Sequence, residues 1–406
     1  MAFTWITGGV TAPQAFEAAG LHCGIRKNRT KKDLALVFSK TPSAATAVYT
    51  QNLVQGAPCV VTKNHLANGV AQAIVCNSGI ANTCAADGIE KAEQMCALTA
   101  DVLSIAKEDV IVASTGVIGP SILIEPIAAA MPQLAELLSE DGHIDAAEAI
   151  MTTDTFLKEC AVSFEIDGVS CSLGGMAKGS GMIAPNMATM LGFLTTDAAI
   201  DTALLQKALS FVVADTFNML SIDGDTSTND MLCILANGAA QNKPIAAEDA
   251  SYEIFVAALY AVCEKLVRML AKDGEGATKL LECNVRGAKT KKDAQLAAKS
   301  VISSDLFKAA MFGADANWGR VLCALGYAGA EIDVSGIAVS FSSEAGSIVV
   351  CEKGAGIPFS EEMAKKVLSE KEITIDITLS DGAASTTAWG CDLTYDYVKI
   401  NGDYRS

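Results

Sequence analysis

The stretch Lys178-Gly-Ser-Gly-Met-Ile-Ala-Pro-Asn-Met-Ala-Thr189-Met-Leu-Gly-Phe-Leu-Thr-Thr-Asp197 lies near the middle of the chain, and its reading decides how the rest is organised. Its apolar residues follow neither a two-residue nor a 3.6-residue period until about Met187, and Gly179, Gly181 and Pro185 would break either element. It is therefore a loop that runs into a strand or a short helix. Thr189 stands where the pattern turns apolar, at Met190, Leu191, Phe193 and Leu194, so a hydroxyl is placed at the mouth of a core element. If the peptide bond before Thr189 breaks, that residue carries both a hydroxyl nucleophile and a free α-amine of pKa about 8, able to act as its own general base. We read Ala188–Thr189 as a self-cleaving bond. Taken alone, the composition describes only a glycine-rich connection, and the remainder of the chain has to decide. A phosphate-binding P-loop is set aside, because the order here is Lys178-Gly179-Ser180 rather than Gly-Lys-Ser/Thr.

Composition narrows the function classes. Of 406 residues, 50% are apolar, which assures a sizeable core for a globular chain of two or three domains, or for one large sandwich with an extension. A net charge of −17 argues against nucleic acid and against anionic membrane surfaces, since both need a basic footprint. A small polar substrate is more natural. The 13 cysteines are scattered singly and the 3 histidines stand apart from any cysteine cluster, so neither a zinc site nor a disulfide framework is expected. The thiols read as small core hydrophobes of a reducing cytoplasm. A Ser-His-Asp or Cys-His enzyme would have to draw its base from His22, His65 or His143, whereas a self-sufficient threonine would not. No signal peptide is expected from the first residues, and the two long uncharged runs are too polar to span a bilayer.

In chain order, Leu34–Ser39, Ala45–Tyr49, Cys59–Thr62 and Ala71–Cys76 read as strands of one sheet. Asn77-Ser-Gly-Ile-Ala-Asn82 follows a strand end, as either a site loop or a plain turn before a helix over Gly88–Ser104. Asp109–Ala113 is a further strand that empties into Ser114-Thr115-Gly116. A hydroxyl followed by glycine can there present an O–H and a backbone N–H to one point, as an oxyanion hole requires. Ile124–Leu138 and Ala146–Met151 are helical, and the oxygen-bearing group Thr152-Thr153-Asp154-Thr155 reads as local helix-end capping. Cys160–Leu173 alternates about Asp167-Gly168, a hairpin signal that delivers the chain into Lys178. Beyond Thr189, Asp201 caps a helix to about Asn218. Ser221–Asp230 is a polar loop that lacks the distal glutamate of a calcium loop and reads as a hydrogen-bonding scaffold. A long helix spans Ser251–Lys272 and stops at Asp273-Gly-Glu275-Gly, where Glu275 serves either a C-capping turn or a ligand. The rest turns mostly β, over Ile332–Ser342, Ser347–Glu352, Ile373–Leu379 and Ser385–Ile400, with one helix near Ser360–Ser369. The last six residues, Asn401–Ser406, follow the last strand. With no repeat or linker in view, the two halves are expected to intertwine.

Together, Ser114-Thr-Gly-Val-Ile-Gly119, Met151-Thr-Thr-Asp-Thr155, the Lys178–Leu191 stretch, Asp223-Gly-Asp-Thr-Ser-Thr-Asn-Asp230, Lys272-Asp-Gly-Glu-Gly-Ala-Thr-Lys279 and Asn401–Ser406 resemble the ornithine acetyltransferase family, also called the glutamate N-acetyltransferase or arginine biosynthesis bifunctional family. The resemblance covers essentially the whole chain. It implies an α/β fold, an α-β-β-α sandwich built from two autoproteolytic fragments, an alpha chain of residues 1–188 and a beta chain of residues 189–406 with a smaller C-terminal region. It implies cleavage between Ala188 and Thr189, Thr189 as the acyl-accepting nucleophile, and Thr115 and Gly116 as the oxyanion hole. Thr152, Lys178, Thr189, Glu275, Asn401 and Ser406 would bind substrate. The implied partners are N-acetylornithine and glutamate, with acetyl-CoA as a further donor that the sequence does not decide, and an assembly of two alpha and two beta chains. No cofactor or metal is implied. Ile80, Ala316 and Gly402 depart from the family pattern, and none of them is a nucleophile or oxyanion position. The competing reading is an N-terminal-nucleophile amidohydrolase or aminopeptidase, in which water resolves the acyl-threonine.

Overall fold

The computed structural model describes residues 3–184 and 190–403, so Ala188, Thr189 and Ser406 lie outside the described residues. In chain order the strands are β1 (Thr4–Ile6), β2 (Phe16–Leu21), β3 (Leu34–Tyr49), β4 (Val70–Ile80), β5 (Val110–Val117), β6 (Lys158–Ile166), β7 (Val169–Lys178) and β8 (Leu191–Thr196). They continue with β9 (Leu220–Ser221), β10 (Met231–Ala236), β11 (Leu280–Ala288), β12 (Ala338–Ser343), β13 (Gly346–Glu352), β14 (Ala355–Gly356), β15 (Glu372–Thr378) and β16 (Ala384–Cys391). Helices lie between them, giving a mixed α/β fold. The chain divides into two compact units. One holds the chain up to Gly179, a segment ending at Ala214, and Thr226–Leu266; the other holds a short stretch from Ser180, Asp215–Asp225 and the chain from Val267 onward.

The first unit is built on a sheet in the order β1-β6-β7-β8-β10-β3-β4-β5, with β2 also paired to β3. The two-residue period of its strands sorts side chains to opposite faces. Leu34, Leu36, Ala73, Val75, Val110 and Val112 join one buried cluster, which the helices Gly88–Leu103 and Ile124–Glu136 cover. The alternate residues Ala35, Val37, Ile74, Cys76, Ile111 and Ala113 join the other, against the helix His143–Ile150. Each Val, Leu or Ile so buried contributes about 1.5–3 kcal/mol. Most neighbours are antiparallel, but β4 and β5 run parallel with Asn77 beside Ser114, Ser78 beside Thr115 and Gly79 beside Gly116. The hairpin expected about Asp167-Gly168 joins β6 to β7, whose last residue, Lys178, pairs with Leu191 at the start of β8.

Two strand assignments need correction. Cys59–Thr62 is not a strand but part of the helix Ala57–His65, which carries Pro58 in its first turn. Its β-branched run Val60-Val61-Thr62 is compatible with a helix because Pro58, Val61, Thr62 and His65 recur on one buried face. That face covers the edge strand β5: Thr62 Oγ1 accepts from Val112 N at 3.0 Å and donates to Val112 O at 2.8 Å, and His65 Nδ1 bonds Val110 O. The last run, Ser385–Ile400, is a strand only to Cys391. Thr394 then accepts from Asp396 N and caps a helix, Tyr395–Gly402, so Asn401 and Gly402 end a helix rather than follow a strand. In the same spirit, Leu34–Ser39 and Ala45–Tyr49 are one continuous strand, and Ser114-Thr115-Gly116 belongs to β5 itself.

The second unit has its own sheet, ordered β14-β13-β12-β15-β11-β16-β9. The helix Lys291–Ile302 packs on β11 and β16, and Glu361–Leu368 packs on β12 and β13. Thr290 and Ser360 accept from backbone N–H groups at the starts of these helices, as N-caps do.

Candidate active site

In the first unit the residues that matter gather at strand ends. Asp154 follows the helix His143–Ile150 and is wholly buried in its side chain, as is Lys158. Its Oδ1 accepts from Lys158 Nζ at 2.6 Å and from Gly179 N at 2.7 Å, while Oδ2 accepts from Thr152 N at 2.9 Å. Lys178 Nζ lies 4.0 Å from Oδ2. Burial alone would raise this carboxyl's pKa. The charges of Lys178 and Lys158, with the hydrogen bonds from Lys158 and Gly179, outweigh it and hold the group well below the usual carboxylate range. One carboxylate therefore draws together Thr152, Lys178 and the first residue of the glycine-rich stretch. Lys178 also acts on the buried Cys76 thiol, offsetting part of the upward push of burial.

Thr115 and Gly116 occupy the end of β5, beside Ser78 and Gly79 of β4. Gly116 has φ +135°, and a Cβ there would lie 2.2 Å from Gly79 C, so the parallel strands approach too closely for any side chain. Beside the ladder that pairs the two strands as far as Ile80 and Val117, Asn229 bridges their ends. Its Nδ2 donates to Ala81 O at 2.6 Å and to Ser114 O at 3.0 Å, and its Oδ1 accepts from Thr83 and Thr228 hydroxyls. Both hydrogens and both lone pairs of the amide are used. Buried Asn77 Oδ1 and Ser114 Oγ, by contrast, have no hydrogen-bond partner among the described residues.

In the second unit Glu275 and Asn401 meet. Asn401 Nδ2 donates to Glu275 Oε2 at 2.7 Å, and Glu275 N donates to Ser180 O at 2.7 Å. A Cβ on Gly181 would lie 2.4 Å from the Glu275 carboxylate, which shows why that position is glycine. The polar loop expected as a scaffold does this work at Asp223, which accepts from Met182 N at 2.6 Å and Ile183 N at 2.8 Å and from the Tyr397 hydroxyl at 3.2 Å. Burial and Asp223 push the Tyr397 phenol up. Thr394 closes the group by donating to Gly276 O.

The structure thus brings Thr152 and Lys178 together about Asp154, and Glu275 together with Asn401, while Thr115 and Gly116 sit side by side at the end of β5. Asp154, Asp223 and Asn229 were not singled out from the sequence. Asp154 lay in a group read as local helix-end capping, and Asp223 and Asn229 in a loop read as a hydrogen-bonding scaffold; their distant partners were not legible. Among the described residues no three His, Cys, Asp or Glu side chains are grouped as a metal site would need, and no helix is long and apolar enough to cross a membrane.

The sequence model of the ArgJ family matches residues 17–406. The chain belongs to the ArgJ family. It is 51% identical over 404 residues to the arginine biosynthesis bifunctional protein ArgJ of Symbiobacterium thermophilum, covering 99% of this chain and 100% of that one. It is 49% identical over 402 residues to the ArgJ protein of Caldanaerobacter subterraneus subsp. tengcongensis, covering 99% of each. A crystal structure of the ArgJ protein of Bacillus halodurans is 46% identical with a TM-score of 0.51, and matches 53% of this chain against 99% of that one. Membership in the ArgJ family agrees with the resemblance carried by the motifs, and the α/β fold expected from it is the fold observed.

Proposed function

We propose that this ArgJ-family chain is a self-cleaving glutamate N-acetyltransferase of arginine biosynthesis, acting in the cytoplasm on small amino-acid substrates. The observation that carries the reading is the Asp154 cluster, which fixes Thr152 and Lys178 at the point where β7 enters the stretch before Thr189. In maturation Thr189 Oγ attacks the Ala188 carbonyl carbon, the amide C–N bond breaks as the nitrogen takes a proton, and water hydrolyses the resulting ester. This leaves the Ala188 carboxylate and a Thr189 with a free α-amine. In turnover that amine takes the Oγ proton, Oγ bonds the acetyl carbon of N-acetylornithine, and ornithine leaves with the proton. The α-amine of glutamate then attacks the acetyl-threonine ester, giving N-acetylglutamate and restoring the hydroxyl. Thr115 and Gly116 donate to the oxyanion of each tetrahedral intermediate. Lys178 pairs with a substrate α-carboxylate, Glu275 with the cationic end of ornithine, and Asn401 and Ser406 complete the binding set. Acetyl-CoA serves as a second acetyl donor, and the fragments 1–188 and 189–406 assemble as two alpha and two beta chains.

The half-length of the Bacillus halodurans chain supports this reading, because 53% of the present chain is about the share that residues 189–406 make up. Mass spectrometry of purified wild type should show two fragments, and T189A one intact chain without transferase activity. Two fragments from T189A would sink the mechanism. Assaying acetyl transfer to glutamate against release of free acetate separates the transferase from an amidohydrolase.

A further inference from the structure

The sequence Arg26-Lys-Asn-Arg-Thr-Lys-Lys32 places five cations in seven positions of a chain whose net charge is −17. The fold builds this run into a defined loop. Asp33, fully buried, accepts from Cys23 N at 2.5 Å, Gly24 N at 3.3 Å and Arg26 N at 2.9 Å, and His22 Nδ1 bonds Lys31 O at 3.0 Å. At the tip, Asn28 Oδ1 accepts from the Thr30 amide and hydroxyl. Two of the five cations are spent within the fold. Lys32 pairs with Asp145 and Glu148, and Arg26 Nη2 donates to Met151 O at 2.5 Å.

Arg26 is also what ties the loop to the site. A Cβ on Gly79 would lie 3.0 Å from Arg26 Cγ, and Gly79 is the β4 neighbour of Gly116. Its side chain thus runs from the strand pair that carries Thr115 and Gly116 to the backbone next to Thr152. Beyond this foot, Lys27, Arg29 and Lys31 are exposed and have no ion-pair partner among the described residues. Three unpaired cations on the loop that Arg26 anchors at these strand ends exceed what an amino acid with one carboxylate can use. They fit an acyl donor whose carrier holds several phosphates.

We propose that Lys27, Arg29 and Lys31 dock the phosphate groups of a coenzyme A thioester, with its thioester end directed toward Thr115 and Gly116. The inference rests on the reading that this site acetylates glutamate. The test uses the mature wild-type enzyme and the triple variant K27E/R29E/K31E. Glutamate acetylation is followed with three donors: acetyl-CoA, S-acetylpantetheine, which has the thioester but no phosphate, and N-acetylornithine. Charge reversal should raise KM for acetyl-CoA by about tenfold or more. It should leave kinetics with the two phosphate-free donors unchanged, and the charge-conserving K27R/R29K/K31R should behave as wild type. In wild type, added salt should raise KM for acetyl-CoA alone. An unmoved KM for acetyl-CoA overturns the proposal, as does equal impairment with all three donors. A wild type that uses N-acetylornithine but not acetyl-CoA overturns it while leaving the transferase reading intact; one that uses no donor overturns both.

Discussion

With its side chain wholly buried, Asp154 must meet its charge with protein groups, and it does so through two lysines and two backbone amides. Removing the carboxylate in D154A would take from Lys158, also fully buried, the carboxylate it pairs with at 2.6 Å, and should cost roughly 3–5 kcal/mol in urea unfolding. The pH dependence follows from the direction of the shift. A carboxyl whose folded pKa is depressed stabilises the fold fully above the unfolded value, about 3.9, and loses that contribution as pH falls toward the folded value. The stability gap between wild type and D154N should therefore be constant from pH 5 to 7 and narrow below about pH 4. Asn229 acts differently, because its amide N–H groups donate to the strand ends that carry the proposed oxyanion donors. In N229A the self-cleavage rate and kcat should fall by about tenfold to a hundredfold with little change in KM; a change in KM alone would count against a role in aligning Thr115 and Gly116. From sequence, the local part of Asp154's work was legible, since a carboxylate two residues after Thr152 suggests capping. Its bond to Gly179 was not, because only the β6–β7 hairpin, with Lys158 opposite Ala177, returns the chain to that point.

At the scale of elements, the helix Ala57–His65 shows how a local pattern is overruled. Three β-branched or threonine side chains in a row suggest a strand, but the edge of β5 needs a cover, and a helix presenting Thr62 and His65 satisfies it. In T62V the Val112 N–H and C=O lose that partner, which should lower stability by about 1–3 kcal/mol in thermal or urea unfolding. The parallel pair β4–β5 is more demanding still. G116A would force a Cβ to within 2.2 Å of Gly79 C, so the strand ends must spread. A loss of about 3 kcal/mol or more, with slowed maturation, is the expected outcome. An unchanged unfolding midpoint would show that the strands part easily. The glycine after Thr115 was visible in the sequence, but its cause, a neighbouring strand's backbone, was not. The end of the last β run was missed for a similar reason: Leu393-Thr394 breaks the alternation only weakly, and the cap that Thr394 forms at Asp396 N starts a helix.

For the whole molecule, the sequence motifs carried the family and the α/β class, while the division into two sheets was out of reach of periodicity, which reports faces and not partners. That division gives the register between Lys178 and Leu191 a further meaning. In the first sheet β8 and β10 stand between β7 and β3, so the strands at its centre come from beyond residue 189 and those on both flanks from before it. A cut between Ala188 and Thr189 would therefore leave a seam and not a separation, because each product ends or begins at strands already hydrogen-bonded to the other. Residues 1–188 made alone would expose two raw strand edges, at β7 and β3, and should aggregate, whereas co-expression with residues 189–406 should restore a soluble complex, as gel filtration would report. The fragments would then behave as one folding unit with a nick, each acting as the template on which the other closes its sheet.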